Sequence, residues 1–345
     1  MAFCSLIRTF ARVMKIVVDD KIPYIHEKLA MIASEVISLP GAKIEADDVR
    51  DADALIVRTR TRCDDQLLKG SRVKFIATAT IGYDHIDTEY LNRIGIHWTN
   101  CPGCNAGSVA QYVECALLLL QQQGLCLSQS TIGIVGCGHV GSKVKVVAER
   151  LGMRVLVCDP PLGHDGFVSL DVIEREADVI TFHVPLTKEG PYATYHLANQ
   201  AFFYRLSRVP YIINTSRGEV VDGKALLAAL QDGRVRDAVI DVWENEPFLD
   251  TQLLQRVFIG TPHIAGYSAD GKVNADNMVI DALCRHFNIQ HPGMIQAPSL
   301  PAGFQYTGNP LELYNPLEDS RKLKESPQHF ESLRNNYPLR RESFT

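Results

Sequence analysis

"TIGIVGCGHVGSKVKVVAERLGMRVLVCD", residues 131–159, carries the reading of the fold. Its first five residues form an apolar run of strand length, and "SKVKVVAERLG" follows with helical spacing. Between them stands Gly136-Cys137-Gly138-His139-Val140-Gly141, a G-x-G-x-x-G. Alone that pattern is weak, but here it closes a strand and opens a helix. The first glycine permits the tight turn, the second lets backbone approach a pyrophosphate, and the third lets helix and strand pack closely. The helix N-terminus then aims unpaired N–H groups at the phosphates. The next strand, "RVLVCD", ends in Asp159, about 20 residues on, where an acid accepts from the ribose hydroxyls of a dinucleotide. An acid there repels a 2′-phosphate, and residues 160 and 161 are prolines rather than an arginine. We therefore expect NAD rather than NADP.

The pattern continues on both sides. Downstream, "ADVITFHVPL", "PYIINTSRG", "RDAVIDVWENEP" and "VFIGTPHIAGY" each read as a strand running into a turn, and 271–287 reads as a helix. Upstream, "MKIVVDD", "DADALIVRTRT", "VKFIATATIGYDHID" and "IHWTNCPG" read as strand-and-turn units, with "IPYIHEKLAMIA" helical between the first two. The stretch "AGSVAQYVECALLLLQQQ" (106–123) reads as a long helix, with Ser108 near its start and Gly124 past its end. Strands and helices alternating at short spacing predict parallel sheets. After His291, "HPGMIQAPSLPAG" reads as a linker, and the charged ending "DSRKLKESPQHFESLRNNYPLRRESFT" as a small appendage. The fold expected is α/β, with two Rossmann-like parallel-sheet domains and a C-terminal addition.

The 345 residues suffice for two full cores, and 46% hydrophobic with 22% charged is ordinary for a globular chain. A formal net charge of -5 argues against a nucleic-acid partner held mainly through phosphates. No run reaches the ~18 apolar residues of a membrane span. Nine cysteines, an odd number scattered through strands and helices, suit reduced thiols in the cytoplasm. Cys101-Pro102-Gly103-Cys104 is a C-x-x-C, but no second pair with zinc spacing exists, so we read a tight turn and expect no metal. Residues 1–13, "MAFCSLIRTFARV", hold two arginines and no acid; they are read as an extension ahead of the native start at Met14.

A nicotinamide enzyme must hold a substrate, move a hydride and move a proton. For the proton, His263 in "GTPHIAGY" stands just past a strand, and Asp241, Glu244 and Glu246 follow another strand in "VIDVWENEP". Arg217, in "NTSRGEVVD", puts a permanent cation where a strand stops, as either a solvated loop charge or a fork for an anion. These three stretches together resemble successive motifs of the D-isomer-specific 2-hydroxyacid dehydrogenase family. The resemblance implies that Arg217 clamps the substrate carboxylate and that His263 is the acid/base on the C2 oxygen. It implies that Glu246 hydrogen-bonds the histidine and stabilises its protonated form.

Further stretches narrow the match: "DDKIPY", "ADALIVRTRT", "ATATIGYDHID", "CPGCNA", "CDPP", "KEGPY" and "NYPLRRE". They resemble the branch of that family that oxidises 4-phospho-D-erythronate to 2-oxo-3-hydroxy-4-phosphobutanoate in vitamin B6 biosynthesis. The match runs from Met14 nearly to the end; residues 1–13 fall outside it. It implies substrate contacts at Thr59, Thr80 and Tyr267, and NAD contacts at Asp159, Val184, Asp241 and Gly266 beside Gly136, Gly138, His139, Val140 and Gly141. Thr59 stands where a serine is common, and Ser216 where a cysteine can occur. A 4-phosphate needs arginines or helix-end amides; Arg58, Arg60, Arg334, Arg340 and Arg341 are the candidates, the last three from the tail. The domains implied are substrate-binding at 14–100, completed by about 266–287, then NAD-binding at 101–265 and dimerisation at 288–345. A cytoplasmic homodimer follows. The alternatives are a dehydrogenase of the same family acting on phosphoglycerate or hydroxypyruvate, and an NAD-sensing corepressor.

Overall fold

The structure, a computed structural model, describes residues 14–300 and 302–342. The extension read at 1–13 lies outside the described residues. The chain divides into two compact units: one runs up to Cys104 and adds Lys272–Ala297, the other joins Asn105–Gly271 to the residues from Pro298 onward.

The first unit holds a five-stranded parallel sheet in the order β2-β1-β3-β4-β5. Its strands are β1 (Lys15–Asp19), β2 (Glu35–Leu39), β3 (Ala54–Val57), β4 (Phe75–Thr78) and β5 (His97–Thr99). Side chains alternate across it. Ile16, Val18, Ala54, Ile56, Phe75 and Ala77 share one core with Ala275, Val279, Ile280 and Leu283 of the helix Ala269–Phe287, while Val17, Leu55, Val57 and Ile76 face the other. Both faces are buried, so the central strands read as continuous apolar runs. β2 does not: "EVISL" is an edge strand with two exposed residues, and the sequence reading passed over it. The C-x-x-C is a turn with Gly103 at φ +76°, and Cys101 donates weakly to the carbonyls of Thr78 and Ala275, each at 3.4 Å.

The second unit has a six-stranded parallel sheet in the order β11-β10-β9-β8-β6-β7. Its strands are β6 (Thr131–Val135), β7 (Arg154–Cys158), β8 (Val179–Phe182), β9 (Tyr211–Asn214), β10 (Asp237–Ile240) and β11 (Ile259–Gly260). All six were legible as apolar runs. The chain leaves β6 to one side for β7 and returns to the other side for β8, so the order reverses at β6/β8. Ligands of such sheets bind beyond the carboxyl ends of the strands at that reversal. The helix Ala106–Gln122 is buried along most of its length against one face, together with Ile132, Ile134, Val179, Ile213 and Val239.

The C-terminal segment, expected as a dimerisation domain, packs on the second unit. Residues from Pro298 onward do not form a unit of their own; Leu323 and Phe330 enter the core on one face of the second sheet and Tyr314 the core on the other. The physical reason is size. A segment this short buries too little surface to be stable alone, so its few large apolar residues pack on the neighbouring core.

Candidate active site

The glycine turn after β6 has the shape its sequence requires. Gly136 adopts φ +91°, and a Cβ there would crowd the His183 carbonyl and Val184, which follow β8 across the reversal point. A Cβ on Gly141 would overlap the Gly136 carbonyl, so the third glycine lets the helix His139–Arg150 sit directly on the turn. Gly138 is different: nothing lies within 4 Å of where its Cβ would stand. It caps the helix with no side chain occupying the first N–H groups, which leaves open space and unclaimed donors where a pyrophosphate would lie. Asp159, half-buried at the end of β7, accepts from Cys137 N at 2.7 Å and from Leu162 N at 3.3 Å. The acid thus braces the turn. These residues fit a dinucleotide.

Three successive strand ends, after β9, β10 and β11, build the catalytic region. At the end of β9, Asn214 is buried, and its Oδ1 accepts from Ser216 N (3.1 Å) and Ser216 Oγ (2.8 Å) while its Nδ2 donates to Arg217 O (2.9 Å). The turn is held shut from inside, and the Arg217 side chain is exposed with Nη1 on Ser216 O at 2.7 Å. Gly218 packs so closely that any Cβ would overlap the Trp243–Glu244 peptide. We predict that Gly218→Ala separates the Arg217 turn from the Glu246 loop. Turnover should fall about tenfold or more with about 1–3 kcal/mol of stability lost to overpacking. Parallel kinetics and thermal melts check this, and an Ala variant with unchanged kcat/KM would overturn it.

Beyond β10, Asp241 is buried and spends its carboxylate on the loop that follows β11: it accepts from Thr261 Oγ1 (2.6 Å), Ile264 N (2.8 Å) and Ala265 N (2.9 Å). Its own carbonyl accepts from His263 N at 2.8 Å. Burial pushes the Asp241 carboxyl up, against the charge of His263 and these hydrogen bonds. Glu246 accepts from Trp243 N with Oε1 at 2.9 Å, and its Oε2 lies 2.8 Å from His263 Nδ1. Burial alone would raise Glu246, but the bond and charge of His263, the Trp243 amide and the Arg334 cation outweigh it and hold its carboxyl below the usual value. An ionised carboxylate can only accept, so Nδ1 carries a proton, and in the neutral ring Nε2 is the basic nitrogen. That is the tautomer a general base needs.

The loop after β11 is fastened from two further directions. On the helix Ala106–Gln122, Ser108 and Tyr112 lie four residues apart on one face. Ser108 Oγ donates to Ala265 O at 2.8 Å, and Tyr112 Oη lies 2.7 Å from Thr261 Oγ1. From the tail, Arg340 reaches the same loop. Its Nη1 donates to Ile264 O (3.0 Å) and Tyr267 O (2.9 Å), and its Nη2 to Ala265 O (2.6 Å) and Ser108 Oγ (3.0 Å). Nε donates to Gln111 Oε1 at 3.2 Å, and the guanidinium lies 4.0 Å over the Tyr314 ring. Gly266 admits no side chain, since a Cβ would overlap Asn105.

Three arginines expected at the phosphate are engaged within the protein. Arg340 is buried, with its donors committed to the loop, and it cannot present a fork to a ligand. Arg341 pairs with both oxygens of Asp270 at 2.9 and 3.0 Å and also donates to Pro298 O. Arg58 forks onto the buried Asp19 of β1, both bonds at 3.2 Å. Arg58 is held by the buried Asp19 and Arg340 by carbonyls of a buried loop, while Arg341 pairs with the half-buried Asp270. Thr59 and Arg60 are exposed beyond the end of β3. Beyond β4, Thr80 Oγ1 donates to Gly82 O at 2.8 Å and lies 2.7 Å from Thr78 Oγ1. Tyr267 stacks edge-on against Tyr337, with ring centroids 6.2 Å apart. No group of His, Cys, Asp and Glu able to hold a metal occurs among the described residues, and no helix there is long and apolar enough to cross a membrane.

The family model for the NAD-binding domain of D-isomer-specific 2-hydroxyacid dehydrogenases matches residues 119–265, which contain the glycine turn and all three strand ends. A relative from Bacteroides fragilis named erythronate-4-phosphate dehydrogenase is 56% identical over 338 residues, covering 95% of this chain and 97% of its own. The chain belongs to the erythronate-4-phosphate dehydrogenase family. A second member, from Cronobacter sakazakii, is 42% identical over 95% of this chain and 92% of its own. Among solved structures, the NAD+-bound 3-phosphoglycerate dehydrogenase of Entamoeba histolytica matches with a TM-score of 0.66 and 31% identity, covering 80% of this chain and 95% of that one. The protein is an NAD-dependent 2-hydroxyacid dehydrogenase. Sequence reasoning missed Asn214, Gly218, Ser108, Tyr112 and the true place of Arg340, all of which act on the site without carrying its chemistry.

Proposed function

We propose that the protein oxidises 4-phospho-D-erythronate to 2-oxo-3-hydroxy-4-phosphobutanoate, a step of vitamin B6 biosynthesis; relatives named erythronate-4-phosphate dehydrogenase support this reading. The observation that carries the chemistry is the 2.8 Å contact of His263 Nδ1 with an ionised Glu246, which leaves Nε2 as a proton acceptor. Arg217 holds the C1 carboxylate through its planar fork and so fixes the direction of the C2–H bond. His263 Nε2 takes the C2 hydroxyl proton while the C2–O bond becomes a carbonyl, and Glu246 stabilises the imidazolium that results. Bound NAD+ supplies the hydride acceptor; the products are the 2-oxo acid, NADH and one proton. Gly136, Gly138, His139, Val140, Gly141, Asp159, Val184, Asp241 and Gly266 are the proposed NAD contacts, and Thr59, Thr80 and Tyr267 the proposed substrate contacts beside Arg217. Arg60, exposed beyond the end of β3, is the proposed phosphate ligand.

We place the enzyme in the cytoplasm, where free thiols such as its own persist, and as a homodimer, which sedimentation velocity tests. The substrate is tested by NADH absorbance with purified protein, NAD+ and either 4-phospho-D-erythronate or 3-phosphoglycerate, with a trap for the 2-oxo acid. Turnover of the four-carbon phosphate alone is expected. Turnover of the three-carbon acid alone would leave the catalytic residues in place and discard the substrate.

A further inference from the structure

The helix Phe330–Asn335 brings a second cation to the catalytic pair. Phe330 is buried in the core of the second unit, and Arg334, four residues on, shares its helix face and is drawn inward with it. Arg334 Nη1 lies 3.6 Å from Glu246 Oε2, the oxygen that meets His263 Nδ1. Its Nε donates to Tyr267 Oη at 3.3 Å. Glu246 and Asp241, from the loop after β10, act on His263, and Arg334 from the tail acts on both carboxylates and on Tyr267. Two of these are carboxylates that favour the imidazolium. A base that must take a proton near neutral pH is hampered if it is already protonated.

We propose that Arg334 is a positioning residue of the dehydrogenase site, which shares Glu246 Oε2 with His263 Nδ1 and so limits how far that carboxylate favours the imidazolium. Two effects act in one direction. The guanidinium repels the imidazolium, and it draws on the same carboxylate oxygen that would otherwise serve the imidazolium alone. The guanidinium meets the carboxylate oxygen that faces Nδ1, whereas the C2 hydroxyl proton is taken at Nε2. The proposal rests on His263 being the base, as above.

The test is the pH dependence of kcat/KM for oxidation of 4-phospho-D-erythronate by the full-length chain as wild type, Arg334→Gln, Arg334→Met and Arg334→Lys. In the Gln and Met variants the acid limb should move to higher pH by about one unit. Oxidation below the limb then falls about tenfold, and the alkaline plateau changes much less. Lys keeps the charge and should restore the limb. The Met variant also keeps the packing of the stem, so it carries the test if Gln does not fold. A limb that stays in place while the plateau drops, or a KM raised equally at every pH, would overturn the proposal in favour of a structural or substrate-binding arginine. His263→Asn, run alongside, separates the two ideas. Full activity there removes the base assignment, whereas a dead Asn variant beside an unmoved Arg334→Gln limb removes only the role of Arg334.

Discussion

Replacing His263 with asparagine is expected to lower kcat for oxidation by about three orders of magnitude and leave NADH affinity close to wild type. Asparagine is the substitution that isolates the chemistry. His263 sits at φ +57°, a region in which asparagine is among the few side chains found readily. Its amide can still donate toward Glu246, so the buried carboxylate keeps a partner. The loop does not depend on the ring, because Asp241 grips it through the backbone of His263, Ile264 and Ala265. What asparagine lacks is a lone pair basic enough to take the C2 hydroxyl proton. Steady-state NADH formation gives the first quantity, and quenching of protein fluorescence by NADH the second. Turnover within tenfold of wild type would mean that some other group removes the proton.

The parts of this site that were legible in the sequence are those where chemistry is written locally. Gly136, Gly138 and Gly141 constrain one another over six residues, and Arg217, Glu246 and His263 each close an apolar run that had to be a buried strand. The parts that were not legible depend on residues far apart in the chain. Ser108 and Tyr112 meet the loop after β11 from more than a hundred residues away, at separations of 157 and 149. Nothing in "AGSVAQY" says that a hydroxyl there has a carbonyl waiting. Gly218 is needed only because Trp243 and Glu244 lie against it. β2 escaped notice for a different reason: an edge strand half-covered by solvent gives no continuous apolar run. The tail misled most. Its charge suggested a solvated appendage or a phosphate cradle, since arginine is seldom fully buried, yet its few apolar side chains commit it to the core of the second unit, and Arg340 is buried with them.

Arg340 is where that misreading is most costly, and Arg340→Met should be the most destabilising single change in the tail. Methionine matches the length and much of the volume of the arginine stem, so no large cavity opens. The loss is electrical. The carbonyls of Ile264, Ala265 and Tyr267 would lose their charged donor in a place water does not reach, and Ser108 Oγ would lose one too. Stranding a buried acceptor costs about 1–3 kcal/mol, and truncating one member of a buried charged network about 3–5 kcal/mol, so we expect a loss of about 4 kcal/mol. The midpoint of thermal unfolding should fall by roughly 8–15 °C. Activity should suffer beyond stability, because these carbonyls belong to the loop that begins at His263 and passes through Gly266. A loosened loop lengthens the His263–Glu246 contact and lowers kcat even well below the new melting point. Arg340→Lys offers three donors on a flexible stem and no planar fork, and should recover only part of either quantity. If Met melted with wild type and turned over normally, the tail would be a passive cover, and the catalytic loop would be held by Asp241, Ser108 and Tyr112 alone.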